Sequence, residues 1–185
     1  MTSAYKLLAT IIRPCDTVLD LGCGNGNWRQ RIAALEPHAA IMGVDVVAGG
    51  DKVFDGKRIP YSDATFDIVF SRQVFEHVHY PRELLADVRR VLRPGGYFVG
   101  SASQMEPEHD HSITGGYTAY GWKWMVREYA GMDCLIYPGI DVWTLLLRRF
   151  GLRWPVDQLT PIGWLLSFKP GAAMRFAGHI CFIAH

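Results

Sequence analysis

The feature that most constrains this chain is a short apolar run that breaks into alternating glycines. Thr17-Val18-Leu19-Asp20-Leu21 is β-branched and apolar, and it runs into Gly22-Cys23-Gly24-Asn25-Gly26. Such a run suits a strand buried on both faces of a parallel sheet. Glycines at every other position allow a sharp turn and let a ligand lie against bare main chain. Residues 27–35 then read as a helix closed by Pro37, and residues 39–44 as a second buried strand ending at Asp45. Strand, glycine loop, helix and strand make a βαβ unit, and that unit commits the chain to a parallel sheet.

The pattern continues. FDIVF at 66–70 reads as another strand, preceded by the turn-rich Pro60-Tyr61-Ser62-Asp63. A helix starts at Pro81, a favoured first position, and carries LLADVRRVL with one apolar face. It stops at Arg93-Pro94-Gly95-Gly96, and residues 97–100 begin the next strand. Residues 118–130 read as a helix leading into Gly131, residues 132–137 as a sixth strand, and the terminal GHICFIAH as a seventh. The N-terminal MTSAYKLLATIIRPCD has an apolar stretch broken by Arg13 and Pro14, too short to span a bilayer, and reads as a lead-in helix. Open α/β sheets bind ligands outside the carboxyl ends of their strands, at a switch point in strand order. That rule predicts Asp20, Asp45, Asp55 and Ser71 on one rim.

Length and composition narrow the class. A chain of 185 residues can bury a sizeable core as one domain. Its 19 Lys and Arg nearly balance 18 Asp and Glu, which argues against wrapping a nucleic-acid backbone. The apolar share of 49% excludes a disordered chain. Four scattered cysteines give neither metal-ligand spacing nor a disulfide framework, so a reduced, cytoplasmic setting is the simplest expectation.

Two cofactors compete for the glycine loop. A dinucleotide site spaces its last glycine as GxGxxG and seats a pyrophosphate on the helix N-terminus. Here the spacing is GxGxG, and Asp20 precedes it by two positions. A carboxylate there is a poor neighbour for a pyrophosphate and a good one for the ammonium of a methionyl group. Asp45 suits a ribose with both hydroxyls free. The loop therefore favours S-adenosylmethionine over NAD.

At this point the chain resembles a known family. VLDLGCGNG at 18–26, MGVD at 42–45, IPYSDATFDIVFSRQVFEHV at 59–78 and LLADVRRVLRPGGYFV at 84–99 are similar, in order and spacing, to the motifs of class I S-adenosylmethionine-dependent methyltransferases. The group sharing the FD…EH…LRPGG pattern is the nearest. The resemblance covers about residues 14–101. It implies a Rossmann-like α/β fold: seven strands, mostly parallel, an antiparallel hairpin at one edge, and helices on both faces. It also implies that Gly22, Cys23, Gly24 and Gly26 line the cofactor, that Asp20 helps hold its amino group, that Asp45 binds the ribose hydroxyls, and that Asp55 lies near the adenine amino group. Asp55 is followed by Gly56 where many relatives carry alanine. Ser71 is expected near the sulfonium, its backbone facing the cofactor, with Arg72 and Gln73 next to cofactor or acceptor.

The expected organisation is a single domain over 1–185, with a cofactor half at 14–101 and an acceptor half at 102–185. Glu106-Pro107-Glu108-His109-Asp110-His111 follows the fifth strand, where acceptor loops emerge in this fold. A hydroxyl acceptor needs a base, and His109 or His111 is the residue type for it at neutral pH. A polar surface loop is the duller reading of the same segment, and no metal is expected. Glu76-His77 suits helix packing or capping as well as substrate contact. Tyr117 and Tyr120 suit either a pocket or packing. The apolar stretch at about 143–169 is expected to cap the site or form a dimer face, or else to rest on a membrane surface. The acceptor is expected to be a small molecule: a sugar, a lipid-linked precursor or another metabolite, methylated on oxygen or nitrogen with S-adenosylhomocysteine as product. A binding protein without turnover and an NAD-dependent oxidoreductase are the alternatives.

Overall fold

The computed structural model describes residues 3–104, 113–114, 116–139 and 177–185. Seven strands form one sheet: β1 (Thr17–Leu21), β2 (Ala40–Asp45), β3 (Lys52–Val53), β4 (Phe66–Arg72), β5 (Leu92–Ser103), β6 (Cys134–Pro138) and β7 (His179–Ala184). Their order is β3-β2-β1-β4-β5-β7-β6. β1 pairs in parallel with β2 on one side and β4 on the other, so strand order reverses beside it. β7 runs antiparallel to both β5 and β6, which is the hairpin expected at the edge.

The helices α1 (Ala4–Ile11), α2 (Asn27–Leu35), α3 (Pro81–Val91) and α4 (Ala119–Ala130) obey local signals. The Ser3 hydroxyl accepts from the Lys6 amide at the start of α1, and Thr118 does the same for Gly121 at the start of α4. Gly131, at φ 63°, closes α4 in the left-handed conformation.

Period-2 alternation divides the core between the two faces. On β4, Val69 packs under α3 and α4 with Leu21, Phe75, Phe98, Trp122 and Phe182. Its neighbours Ile68 and Phe70 face α1 and α2, with Leu7, Leu8, Val18 and Ile32. At the amino end of the sheet, the Asp67 carboxylate accepts from the Thr17 amide at 2.8 Å and from Arg93 at 2.6 Å, tying β1, β4 and β5 together.

Two strand starts and one connection differ from expectation. β5 begins at Leu92 rather than at residue 97, because Leu92 pairs with Phe66 before Arg93–Gly96 bulge out and Tyr97 resumes opposite Ile68. β6 begins at Cys134, two residues after the expected start. The regular alternation of strand and helix also fails between β2 and β4, where residues 46–65 contain only β3. The connection from β2 to β3 is made by glycines pressed against the first turn. A Cβ on Gly50 would sit 2.5 Å from the Cys23 sulfur and 2.7 Å from the Gly43 oxygen. Among the described residues no helix is long and apolar enough to cross a membrane.

Candidate functional site

The loop leaving β1 is shaped by three left-handed glycines: Gly22 at φ 74°, Gly24 at 54° and Gly26 at 76°. The Gly22 and Cys23 amides both donate to the Val44 carbonyl, at 2.8 and 3.1 Å, which docks the loop onto the end of β2. A Cβ on Gly22 would run into Val74, whereas one on Gly24 would meet nothing within 4 Å among the described residues. Gly22 therefore serves close packing, and Gly24 borders open space. Cys23 turns inward, 5% exposed, its sulfur against Gly43 and Gly50. Burial pushes its thiol up to about 11, so it is inert as a nucleophile.

The carboxylates expected around this loop differ sharply in environment. Asp20, on β1, is 3% exposed, and its Oδ2 has no hydrogen-bond partner among the described residues. Burial pushes its carboxyl up to about 6; Arg72 pulls it down and Asp45 pushes it further up. Asp45 ends β2 half-buried, accepting from the Gly24 amide at 2.7 Å and the Val47 amide at 3.2 Å. Asp55 is exposed, and its Oδ1 accepts from the Lys57 and Arg58 amides at 2.8 Å each. Those amides, Arg58 first, hold its carboxyl below the usual range.

Ser71 and Arg72 end β4 on opposite faces. Ser71 is fully buried on the side of Val69, and its Oγ has no partner among the described residues. Arg72 lies on the side of Phe70, exposed, with its guanidinium 4.4 Å from the centroid of the Trp28 ring. Asp20, Asp45, Arg72 and the glycine loop thus meet at the carboxyl ends of β1, β2 and β4. Asp55 follows Phe54, whose amide donates to the Asp45 carbonyl at 3.0 Å.

Several groups here escaped the sequence reading. Arg29 of α2 makes a two-pronged pair with Asp51 at 2.9 and 3.1 Å, and Asp51 also accepts from the Gly43 amide at 2.7 Å. This clasp fastens the β2–β3 connection beneath the glycine loop. The Gly49-Gly50-Asp51 triplet was its only sequence signal. Gln73, itself expected next to cofactor or acceptor, adopts φ 53°, rare for a residue with a side chain, and its amide donates to the Ser101 carbonyl at 2.9 Å. No sequence signal marks that strain.

On the acceptor side, Glu76 is 1% exposed, and its main-chain oxygen accepts from the Ile113 and Thr114 amides at 2.7 and 3.2 Å. The Tyr117 hydroxyl donates to the Phe75 carbonyl at 3.0 Å, and its ring packs on Trp122. Tyr120 is 83% exposed. Among the described residues no group of three metal-ligating side chains exists. His109, His111 and the apolar segment at 143–169 lie outside the described residues.

Comparison with known proteins gives the geometry a context. A family described as a methyltransferase domain matches residues 19–100. The ubiquinone biosynthesis O-methyltransferase of Ruegeria pomeroyi is 30% identical over 173 residues, covering 82% of this chain and 67% of that protein. The chain spans only 30% and 55% of two other curated relatives. Phosphoethanolamine N-methyltransferase 2 of Haemonchus contortus, solved with S-adenosyl-L-methionine, superposes with a TM-score of 0.63 at 16% identity, over 94% of this chain and 49% of that one. The [4+2]-cyclase SpnF superposes at 0.65 with 19% identity, over 97% and 78%. At those identities the two structures share a fold, and one fold serves different named reactions.

Proposed function

Because the chain belongs to the class I S-adenosylmethionine-dependent methyltransferase family, we propose that it transfers a methyl group from S-adenosylmethionine to an oxygen or nitrogen of a small-molecule acceptor. The observation that carries this reading is Asp20: a buried carboxylate whose Oδ2 has no partner among the described residues, beside a glycine loop that borders open space among those same residues. A buried acceptor left unsatisfied is costly unless a ligand completes it. An ammonium group does so with charge as well as a hydrogen bond. An anionic pyrophosphate would be repelled by it, so the donor set fits S-adenosylmethionine and not a dinucleotide.

In this reading Asp20 holds the amino group, Asp45 the two ribose hydroxyls, and Asp55 the adenine amino group. Gly22, Gly24 and Gly26 keep side chains away from the bound molecule, Cys23 contributes main chain alone, and the Ser71 backbone faces the reacting end. The cofactor supplies an electrophilic methyl on a sulfonium, which departs as a neutral thioether. Alignment of acceptor, methyl and sulfur therefore supplies much of the acceleration. A hydroxyl acceptor must also lose its proton, and His109 or His111 is the proposed base. The likeness to ubiquinone O-methyltransferases supports testing phenolic and other hydroxyl acceptors, including lipid-linked ones, before amines. The segment at 143–169 is proposed as the wall, dimer face or membrane contact beside such an acceptor.

Calorimetric titration with S-adenosylhomocysteine, and separately with NADH, tests the cofactor. Micromolar binding of the first alone is expected; NADH binding alone, or binding of neither, overturns the reading. Asp45→Ala should weaken S-adenosylhomocysteine by about 2 kcal/mol or more, since two ribose hydrogen bonds are lost. An unchanged affinity would remove Asp45 from the site.

A further inference from the structure

We propose that the outward face of α4 docks onto an anionic lipid bilayer. Tyr120, Lys123, Trp124 and Arg127 are all exposed, and their spacing puts them on one side of the helix. The opposite side gives Trp122, Val126 and Ala130 to the core. Tyr120 is 83% exposed and Trp124 49%. Trp124 is nonetheless held in place: its ring meets Tyr129 edge-on at 5.7 Å, and Arg82 of α3 lies over Tyr129 at 5.3 Å.

Charge decides which partner fits. The chain as a whole has a net charge of +1, so any attraction to an anionic surface must be local. Arg29, Arg90 and Arg93 are each tied to a carboxylate at 2.6–2.9 Å. Arg82, Lys123 and Arg127 make no ion pair among the described residues, although Glu83 and Glu128 share the outer surface of the same two helices. Unpaired Lys and Arg beside Trp and Tyr match the headgroup region of a bilayer. The cationic tips reach phosphate there, while their stems and the amphipathic rings lie against the acyl boundary. The centre of a protein–protein interface is instead depleted of lysine.

The position of the face suits the proposed reaction. Tyr117, just ahead of α4, donates its amide to the Ser103 carbonyl at 2.7 Å, at the end of β5. α4 therefore starts at the carboxyl rim of the sheet, and a bilayer against its outer face lies beside the rim where the acceptor is proposed to enter. The contact itself requires neither the cofactor site nor the segment at 143–169.

The test is sedimentation of the full chain with vesicles of phosphatidylcholine and phosphatidylglycerol in equal parts, and with vesicles of phosphatidylcholine alone. Wild type should bind the anionic vesicles about tenfold or more tightly than the neutral ones, and lose that binding as salt rises. Lys123→Glu combined with Arg127→Glu should weaken it by about thirtyfold or more, the worth of two basic residues at such a surface. Trp124→Ser should weaken it by about fivefold. Glu128→Lys, which adds positive charge at the edge of the same face, should strengthen it, so the comparison does not depend on losses alone. All four side chains are exposed, and the melting temperature should stay at its wild-type value in each variant. Binding that survives the reversal at Lys123 and Arg127 would put the membrane contact elsewhere in the chain and overturn the proposal. Equal binding to both kinds of vesicle, or to neither, would overturn it too; in the last case the face would fit an acidic protein surface instead.

Discussion

The two faces of the sheet treat the same strands in opposite ways. Towards α3 and α4, β5 and β7 bury rings against rings: Phe98 to Phe182 at 4.8 Å, Trp122 to Phe182 at 5.0 Å and Trp122 to Phe75 at 5.0 Å. Towards α1 and α2, the rim of β1, β4 and β5 carries Asp20, Arg72, Gln73 and Ser101 instead. There a carboxylate is buried with no partner for Oδ2 among the described residues, and the Gln73 backbone stays at positive φ. The first face gains free energy on folding, and the second gives some up. That difference suits the proposed reading, in which the rim groups are completed by a ligand.

The largest effect separates the faces outright. Trp122 is fully buried, and Trp122→Ala should cost about 3–5 kcal/mol, read as a lowered denaturant midpoint. Its indole nitrogen lacks a partner among the described residues. That penalty offsets only part of what ring burial contributes. Where the variant remains folded, its affinity for S-adenosylhomocysteine should match wild type. A parallel loss of affinity would show that the aromatic face shapes the cofactor site as well.

The polar face predicts a change of opposite sign. The Asp20 carboxyl rises from 3.8 to about 6 on folding, so folding disfavours its ionised form. Below the unfolded value both states hold the proton and no stability is lost. Between that value and about 6, stability falls as pH rises, and above about 6 the loss is complete. A displacement of this size corresponds to about 3 kcal/mol. Asp20→Asn should therefore stabilise the unliganded protein near pH 7.5 by up to that amount, with the advantage vanishing towards pH 4. The same variant should bind S-adenosylhomocysteine poorly, and wild-type affinity should fall as pH drops below 6. If the variant were less stable than wild type at pH 7.5, the buried carboxylate would be partnered after all.

The contrast also decides what was legible in the sequence. Thr17–Leu21, Asn27–Leu35 and Pro81–Val91 could be read directly because apolar pattern agrees there with the glycines and prolines that bound each segment. The acids around the glycine loop were legible because strand ends before glycines have a known place in such sheets. The Arg29–Asp51 clasp and the Trp28–Arg72 stack were not. Each joins residues far apart in sequence, and neither residue type signals its partner. The two-residue β3 was too short for any period to register. Its connection rests on Gly49 and Gly50 packing against Gly24 and Cys23, a tertiary fit rather than a local preference.

The smallest predicted effect asks whether the open space at the polar rim is where the cofactor lies. Gly24 and Gly95 are alike in two respects: φ is 54° and 78°, and a Cβ at either meets nothing within 4 Å. They sit at opposite ends of the sheet, Gly24 beyond the carboxyl end of β1 and Gly95 in the bulge near the start of β5. Alanine at either should cost about 1 kcal/mol of stability, the strain of a side chain in the left-handed region. Only Gly24→Ala puts a methyl group into the space beside Asp45, so it alone should weaken S-adenosylhomocysteine, by about tenfold. Gly95→Ala thereby subtracts the shared folding cost from the comparison. If both variants bind like wild type, the ligand does not lie against Gly24, and the loop serves the turn and its packing alone.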